Sequence, residues 1–319
     1  MLRTPAPLIG ALGSKATRMS GFFSSHTFSH LADDLDRAVA WVRLFGIEPN
    51  PTRLGNYVRA ANLLKSAYNN ARMDVLASDL PVFNNMFYEV LEFVAIHKAL
   101  AGKYDEHLSE HVRKMVSGPV VNTDEVPETS SNVARDTTFE LALMALVAQA
   151  GLQLNFKPKV DVALDFEGRH YLIECKRPRG YKGLEKNLKD AKKQLTRACG
   201  AALHTRTRGI VALDITRLVN PEFKIYVTKD PNDIDRAMVE ALDNFVEDHI
   251  EVIKANTSRK TIGVLVRLRQ MNAVEAFSSS KLYYGEQFTM ATTPAITSAE
   301  TESCDRLIAH LRMGAELAA

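Results

Sequence analysis

Asp161, Glu174 and Lys176 form a set of two carboxylates and an ammonium within sixteen residues, the equipment of a metal-assisted hydrolysis. They lie in the run 161–176, Asp-Val-Ala-Leu-Asp-Phe-Glu-Gly-Arg-His-Tyr-Leu-Ile-Glu-Cys-Lys. Its first arm alternates, with Val160, Val162, Leu164 and Phe166 on one face and Asp161, Ala163 and Asp165 on the other. Its second arm puts Tyr171, Ile173 and Cys175 on one face and His170, Leu172, Glu174 and Lys176 on the other. Glu167-Gly168 supplies a turn between them. A two-residue loop pairs Phe166 with Arg169 and Asp161 with Glu174, with Cβ atoms of the pair roughly 5 Å apart. A three-residue loop would turn one arm over. Two facing carboxylates repel each other. A divalent cation removes that penalty, and oxygen ligands suit Mg²⁺ or Mn²⁺. Lys176, on the same face, can hold a phosphate or an attacking water. Asp165 shares the parity but sits near the turn, about 13 Å along the strand from Asp161, and is a lesser candidate. The bland alternative is a wet hairpin in which Glu174 and Lys176 form a surface pair. The apolar Tyr171, Leu172 and Ile173 favour a covered strand instead.

The flanking elements would have to position this hairpin. Residues 134–150 read as a helix, and ten of the twelve residues from Phe139 to Ala150 are apolar, so the helix is buried nearly all round. Glu140 is the single acid of that run. It either faces the hairpin carboxylates or closes a capping box with Thr137. Gly151 ends the helix, 152–156 form a first strand, and Lys157-Pro158-Lys159 connects to the hairpin. Beyond Lys176, the strand exit carries Arg177, Arg179 and Lys182. A helix from about 184 to 203 then sets Lys186, Lys189, Lys192, Lys193 and Arg197 on one broad face, opposite Leu188, Ala191, Leu195 and Ala198. Gln194 lies among them, and 209–215 is a short apolar strand. Residues 176–217 hold twelve Lys and Arg against three acids, net +9, which leaves −7 for the rest of a chain totalling +2. That asymmetry suits a polyanion-binding face beside the hairpin; a solvated helix face is the plainer reading.

Asp-x(12)-Glu-x-Lys, with Glu-x-Lys ending an apolar strand, resembles the restriction-endonuclease-like, or PD-(D/E)XK, nuclease superfamily. The resemblance covers roughly 134–217. Helix, strand, hairpin, helix, strand is the order such a core needs. It implies an α/β fold in which a mixed central sheet is flanked by helices. It also implies catalytic Glu140, Asp161, Glu174, Lys176 and Gln194, with Asp161, Glu174 and the Cys175 carbonyl as metal ligands. Nucleic acid would then be held by Arg177, Arg179, Lys182, Lys186, Lys189, Lys193 and Arg197. The family often has Pro directly before the Asp; Val160 stands there in this chain.

The 319 residues divide by composition into a tail (1–32), an all-helical region (33–115), a linker (116–133), the nuclease-like part (134–295) and a closing helix (296–319). The tail holds Arg3, Lys15 and Arg18 and no acid, and reads as loose or partly docked rather than as a transit segment. In the helical region, Leu35, Val39, Val42 and Phe45 make one stripe, 51–67 a second helix, and Phe83, Phe87, Val90, Leu91 and Val94 core positions of a third. Downstream, 224–227 and 261–268 read as strands, 282–289 as a partner of the latter, and 234–254 and 298–317 as helices. No apolar run approaches 18 residues, so no membrane helix is expected. There is no Walker loop, no Gly-x-Gly-x-x-Gly, no zinc finger and no internal repeat. Three unpaired-looking cysteines fit a reducing cytoplasm, with Cys175 a buried thiol.

These readings lead to metal-dependent hydrolysis of nucleic acid, DNA favoured over RNA. The helical region would offer the surface for a homodimer contact or a protein partner. One rival is a nucleic-acid-binding module of the same fold without activity; the intact Asp/Glu/Lys set argues against it. A distant rival is a zinc protease built on His107-x-x-Glu110-His111, since two histidines four apart on a helix can bind zinc. That short spacing arises easily by chance, and its charged neighbours read as an exposed helix.

Overall fold

The computed structural model describes residues 16–18, 22–70, 72–103, 105–120, 133–155, 160–202, 205–228, 230–274 and 282–318. Most of the tail, linker residues 121–132, the connection 157–159 and the Phe83 side chain lie outside the described residues. The chain runs β1 (Ala16–Arg18), β2 (Phe22–His26), α1 (Phe28–Leu44), α2 (Arg53–Asn69), α3 (Met73–Leu100), α4 (Glu106–Met115) and α5 (Val133–Gln149). It continues through β3 (Gln153–Leu154), β4 (Val162–Phe166), β5 (Arg169–Lys176), α6 (Tyr181–Ala201), β6 (Thr207–Asp214), α7 (Thr216–Val219) and β7 (Ile225–Thr228). It ends with α8 (Pro231–Asp248), α9 (Ile250–Ala255), β8 (Thr261–Val274), β9 (Leu282–Thr292) and α10 (Ser298–Ala318).

The strands form one mixed sheet in the order β1-β9-β8-β6-β5-β4-β3, with β2 also on β9 and β7 also on β8. β5, β6 and β8 run parallel to one another, while β3, β4 and β9 pair antiparallel. Both faces are covered. Val162, Leu164, Tyr171, Ile173, Ile210 and Leu265 pack in one cluster with Phe139 and Met144 of α5 and Leu307 of α10. Ala163, Leu172, Val211, Leu213 and Val264 pack in the other with Leu188 and Leu195 of α6 and Met238 and Leu242 of α8. A strand buried on both sides needs apolar residues at consecutive positions, which is why Ile210-Val-Ala-Leu213 reads as an unbroken run.

The helices of 33–115 share the first of these clusters: Leu35, Trp41, Leu54, Tyr57 and Leu108 belong with Phe139 and Ile173. The compositional boundary at 116–133 therefore does not separate two cores. Buried ion pairs add to the join. Glu89 on α3 meets Arg53 of α2 and, at 2.6 Å, Arg135 of α5. Arg53 also donates to Thr138 at 2.7 Å and to the Met115 carbonyl. One turn later Glu92 takes Arg267 and Arg269 of β8, each at 2.7 Å. Burial alone would raise the Glu89 carboxyl, but Arg53 and Arg135 overcome it and hold it down at about 2.

Several expectations shift. Residues 16–18 and 22–26 of the tail lie as strands against β9. α5 begins at Val133, so Thr137 sits buried inside the helix and the capping-box reading fails. The helix expected over 234–254 is broken at His249 into α8 and α9. The strand expected over 261–268 extends to Val274, because β9 pairs it from Gly263 to Ala273 and β7 pairs Met271 to Val274.

Removing Glu89 would leave two arginines buried without their shared partner. Glu89→Ala is expected to cost about 3–5 kcal/mol in urea unfolding, far more than a surface Glu→Ala change.

Candidate active site

The hairpin turn sets the site. Glu167 and Gly168 both adopt positive φ, 48° and 68°, which is a two-residue turn whose twist matches the strands it joins. Gly168 takes that conformation without strain. Glu167 is held in it from outside, by Arg306 and Ser303 of α10. The turn pairs Phe166 with Arg169 and continues in register to Val162 opposite Ile173. One step further, in the same register, Asp161 comes opposite Glu174.

The two carboxylates meet under cover. Glu174 is 2% exposed. Asp161 Oδ2 accepts the Cys175 backbone N–H at 2.7 Å, which ties the start of β4 to the end of β5. Lys176 Nζ donates to Glu174 Oε2 at 3.2 Å. Burial, then the charges of Glu140 and Glu174, push Asp161 up to about 8. Burial also raises Glu174, against the pull of Lys176 and of a hydrogen bond from Asp161. Burial works to lower Lys176, but the charges of Asp161 and Glu174 outweigh it and hold the ammonium above its ordinary value. Both carboxyls are thus held above their ordinary range, because each is shielded from water and faces neighbouring negative charge.

Glu140 reaches the same place from α5. Together with Asp161, Glu174 and Gln194 it lines a cleft of ≈ 540 Å³ that also takes in His107, His111, Lys114 and Asp136. Asp161, Glu140 and Asp136 also line a second cleft of ≈ 860 Å³ with Lys176, Arg179, Tyr181, Lys182, Lys186 and Asn187. The carboxylates thus stand between an acidic, histidine-bearing hollow and a basic one.

Not every residue expected at the site is there. Arg177 is only 8% exposed, with its Nε 3.8 Å from buried Asp214, and it also lines the cleft of ≈ 860 Å³ beside Lys176. Lys189 is exposed and paired with Glu185 at 2.6 Å; Lys193 and Arg197 are exposed further along α6 and do not line the cleft. Gln194 is exposed at the rim. Asp165 is engaged elsewhere, by His170 at 2.7 Å and Asn155 at 2.8 Å. Cys175 is a buried thiol, pushed well up by burial.

The His107-x-x-Glu110-His111 segment lies on α4 and lines the acidic hollow. His111 Nδ1 lies 2.8 Å from the His107 carbonyl and its Nε2 3.4 Å from Glu140 Oε2. Both ring nitrogens thus face acceptors. Burial tends to lower this imidazole, but Glu140 and the carbonyl prevail and raise it. Sequence reasoning missed His111 as a partner of Glu140, because α4 and α5 meet only in the fold. It also missed Asp136, which the spacing of four from Glu140 could have flagged, and Tyr181 and Asn187.

Asp161 and Glu174 are the side chains that could hold a hard divalent cation. Among the described residues no three His, Cys, Asp or Glu side chains gather into a ligand set. The remaining coordination would fall to backbone oxygen, water and substrate, as Mg²⁺ commonly accepts. Compared with known proteins, the chain matches no family model, no curated protein and no solved structure. Among the described residues no helix is long and apolar enough to cross a membrane.

Asp161 gives a stability signature. Its folded carboxyl titrates far above its unfolded value, so the folded state binds the proton more tightly. Its contribution to stability is full below pH ~4 and declines as pH rises to about 8. Asp161→Asn, which removes the buried charge, is expected to stabilise the metal-free protein at pH 8 by roughly 1–3 kcal/mol. Thermal unfolding at pH 5 and pH 8 measures this, with the gain expected to shrink at pH 5.

Proposed function

We propose that the chain is a metal-dependent nuclease that hydrolyses phosphodiester bonds, DNA favoured over RNA. The observation that carries this reading is the pair of buried Glu174 and half-buried Asp161 with Lys176 beside it, at the edge of a cleft lined by Arg179, Lys182 and Lys186. The order α5, β3, β4, β5, α6, β6 supports it too, being the helix, strand, hairpin, helix, strand order of a restriction-endonuclease-like core. Two hard oxygen donors crowded together, each with its carboxyl pushed up by burial and by neighbouring negative charge, fit Mg²⁺ or Mn²⁺.

Asp161 and Glu174 would hold the cation, with the Cys175 carbonyl as a further donor. Bound there, it would supply a water of lowered pKa and stabilise charge on the transferring phosphate. Lys176, freed from Glu174, would position the attacking water or neutralise the phosphate. Glu140, oriented by His111, would turn that water toward the phosphorus. Arg179, Lys182 and Lys186 would hold the polymer by its phosphates, which gives affinity without sequence information.

Purified protein is incubated with plasmid DNA, single-stranded DNA and RNA in Mg²⁺, Mn²⁺ or EDTA. Cleavage is expected only with metal, and Lys176→Ala is expected to slow it about 10²-fold or more. Binding that weakens steeply with salt, without cleavage of any polymer, would replace the nuclease by a binding module. Lys182→Ala and Lys186→Ala are each expected to lower the slope of log K against log[salt] by about one, read by fluorescence anisotropy in EDTA.

A further inference from the structure

The basic cleft ends in a feature that phosphate binding leaves unused. Tyr181, the first residue of α6, is a large aromatic left 55% exposed. Its ring stacks on His249, with centroids 5.6 Å apart and planes at 15°. His249 in turn stacks on Phe245, at 4.6 Å and 19°. Phe245 is buried against the α6–α8 core, and His249 Nδ1 is tied to the Phe245 carbonyl at 2.9 Å. The exposed ring therefore lies on two rings that are themselves fixed. The same break between α8 and α9 that splits the expected helix places His249 there.

Tyr181 lines the cleft shared by Asp161, Lys176, Lys182 and Lys186. It stands five positions after Lys176, so the two lie at most about 17 Å apart along the backbone, the span of a few nucleotides. A flat, rigid aromatic face beside cations is the combination that binds unpaired nucleic acid: cations track the phosphates while a base stacks on the ring. Duplex bases are already stacked on one another and have no free face to offer. A protein partner would call for a broader apolar surface, whereas here the aromatic face is a single ring surrounded by Arg179, Lys182 and Lys186.

We infer that the cleft takes an unpaired nucleic-acid strand, one base of which stacks on Tyr181. This rests on the reading of the cleft as a nucleic-acid site. It adds that the substrate is single-stranded or frayed where it enters. Asn187 lines the same cleft, its amide donating to the Gly183 carbonyl at 2.7 Å.

The test uses the full chain carrying Lys176→Ala, in EDTA, so that binding is read without cleavage. Fluorescein-labelled oligothymidylate and a hairpin duplex of equal length are titrated by anisotropy. Adding Tyr181→Ala is expected to weaken the single strand roughly 5- to 100-fold, with the duplex changed less than about twofold and Tyr181→Phe restoring the single strand. Tyr181→Trp adds a direct readout, because the chain's one native tryptophan, Trp41, is buried. Its fluorescence is expected to be quenched by the single strand and not by the duplex. Equal loss on both polymers, or no loss on either, overturns the inference. Metal-dependent cleavage by the chain with native Lys176, alongside such a result, would leave the nuclease reading standing. Single-strand binding that depends on Tyr181, with no cleavage by that chain, would do the reverse. Binding of neither polymer would overturn both.

Discussion

Glu89 and Glu92 sit one turn apart on α3, both buried, and each is clasped by two arginines from other elements. Such pairs contribute little net stability compared with apolar packing, but they tolerate no partial arrangement, because a slipped helix would leave bare charge in the core. Glu89 fixes α3 to α2 and α5. Glu92 fixes it to β8, and through Arg269 to Asp214 at the end of β6, 3.3 Å away. Asp214 also meets Arg177, the residue after Lys176. The position of Glu140 on α5 and the exit of Lys176 from β5 are thus set against one another by a lattice of charge on α3. The helical amino-terminal region is part of the scaffold of the site.

At the site itself the same rule is broken. Glu89 and Glu92 of the α3 lattice each have two arginines, whereas Asp161 and Glu174 face each other with Lys176 as the cation beside them among the described residues, and Glu140 adds a further negative charge. A protein carries such tension where function needs it and compensates with packing elsewhere. Here the compensation is visible: covered sheet faces on both sides, a hairpin turn held by α10, and an arginine lattice behind.

The local part of this arrangement was legible in the sequence. The alternation of 160–166 and 170–176, with Glu167-Gly168 between them, carries both the register and the two faces, because strand geometry has a period of two. The order of the main elements from α5 to β6 follows from hydrophobic period and turn residues. What could not be read depends on residues far apart in the chain. Arg177 looks like one more cation in a basic exit, but it also reaches buried Asp214 while lining the cleft. His111 looks like a zinc ligand, and only the fold brings its second nitrogen to Glu140. Thr137-Thr-Phe-Glu140 has the pattern of a helix start, but Val133 begins the helix one turn earlier. The break at His249 leaves no mark in an amphipathic pattern that continues through it.

Mn²⁺ titration of the metal-free protein at pH 7 by calorimetry, in two buffers of different ionisation enthalpy and beside Glu174→Gln, decides whether the carboxylate pair is a cation site. If Asp161 and Glu174 form such a site, one Mn²⁺ binds per chain, about one proton is released from the raised Asp161 carboxyl, and the variant loses the binding. Absence of binding at millimolar Mn²⁺, or binding indifferent to Glu174→Gln, would contradict the account and leave the carboxylate pair a structural feature.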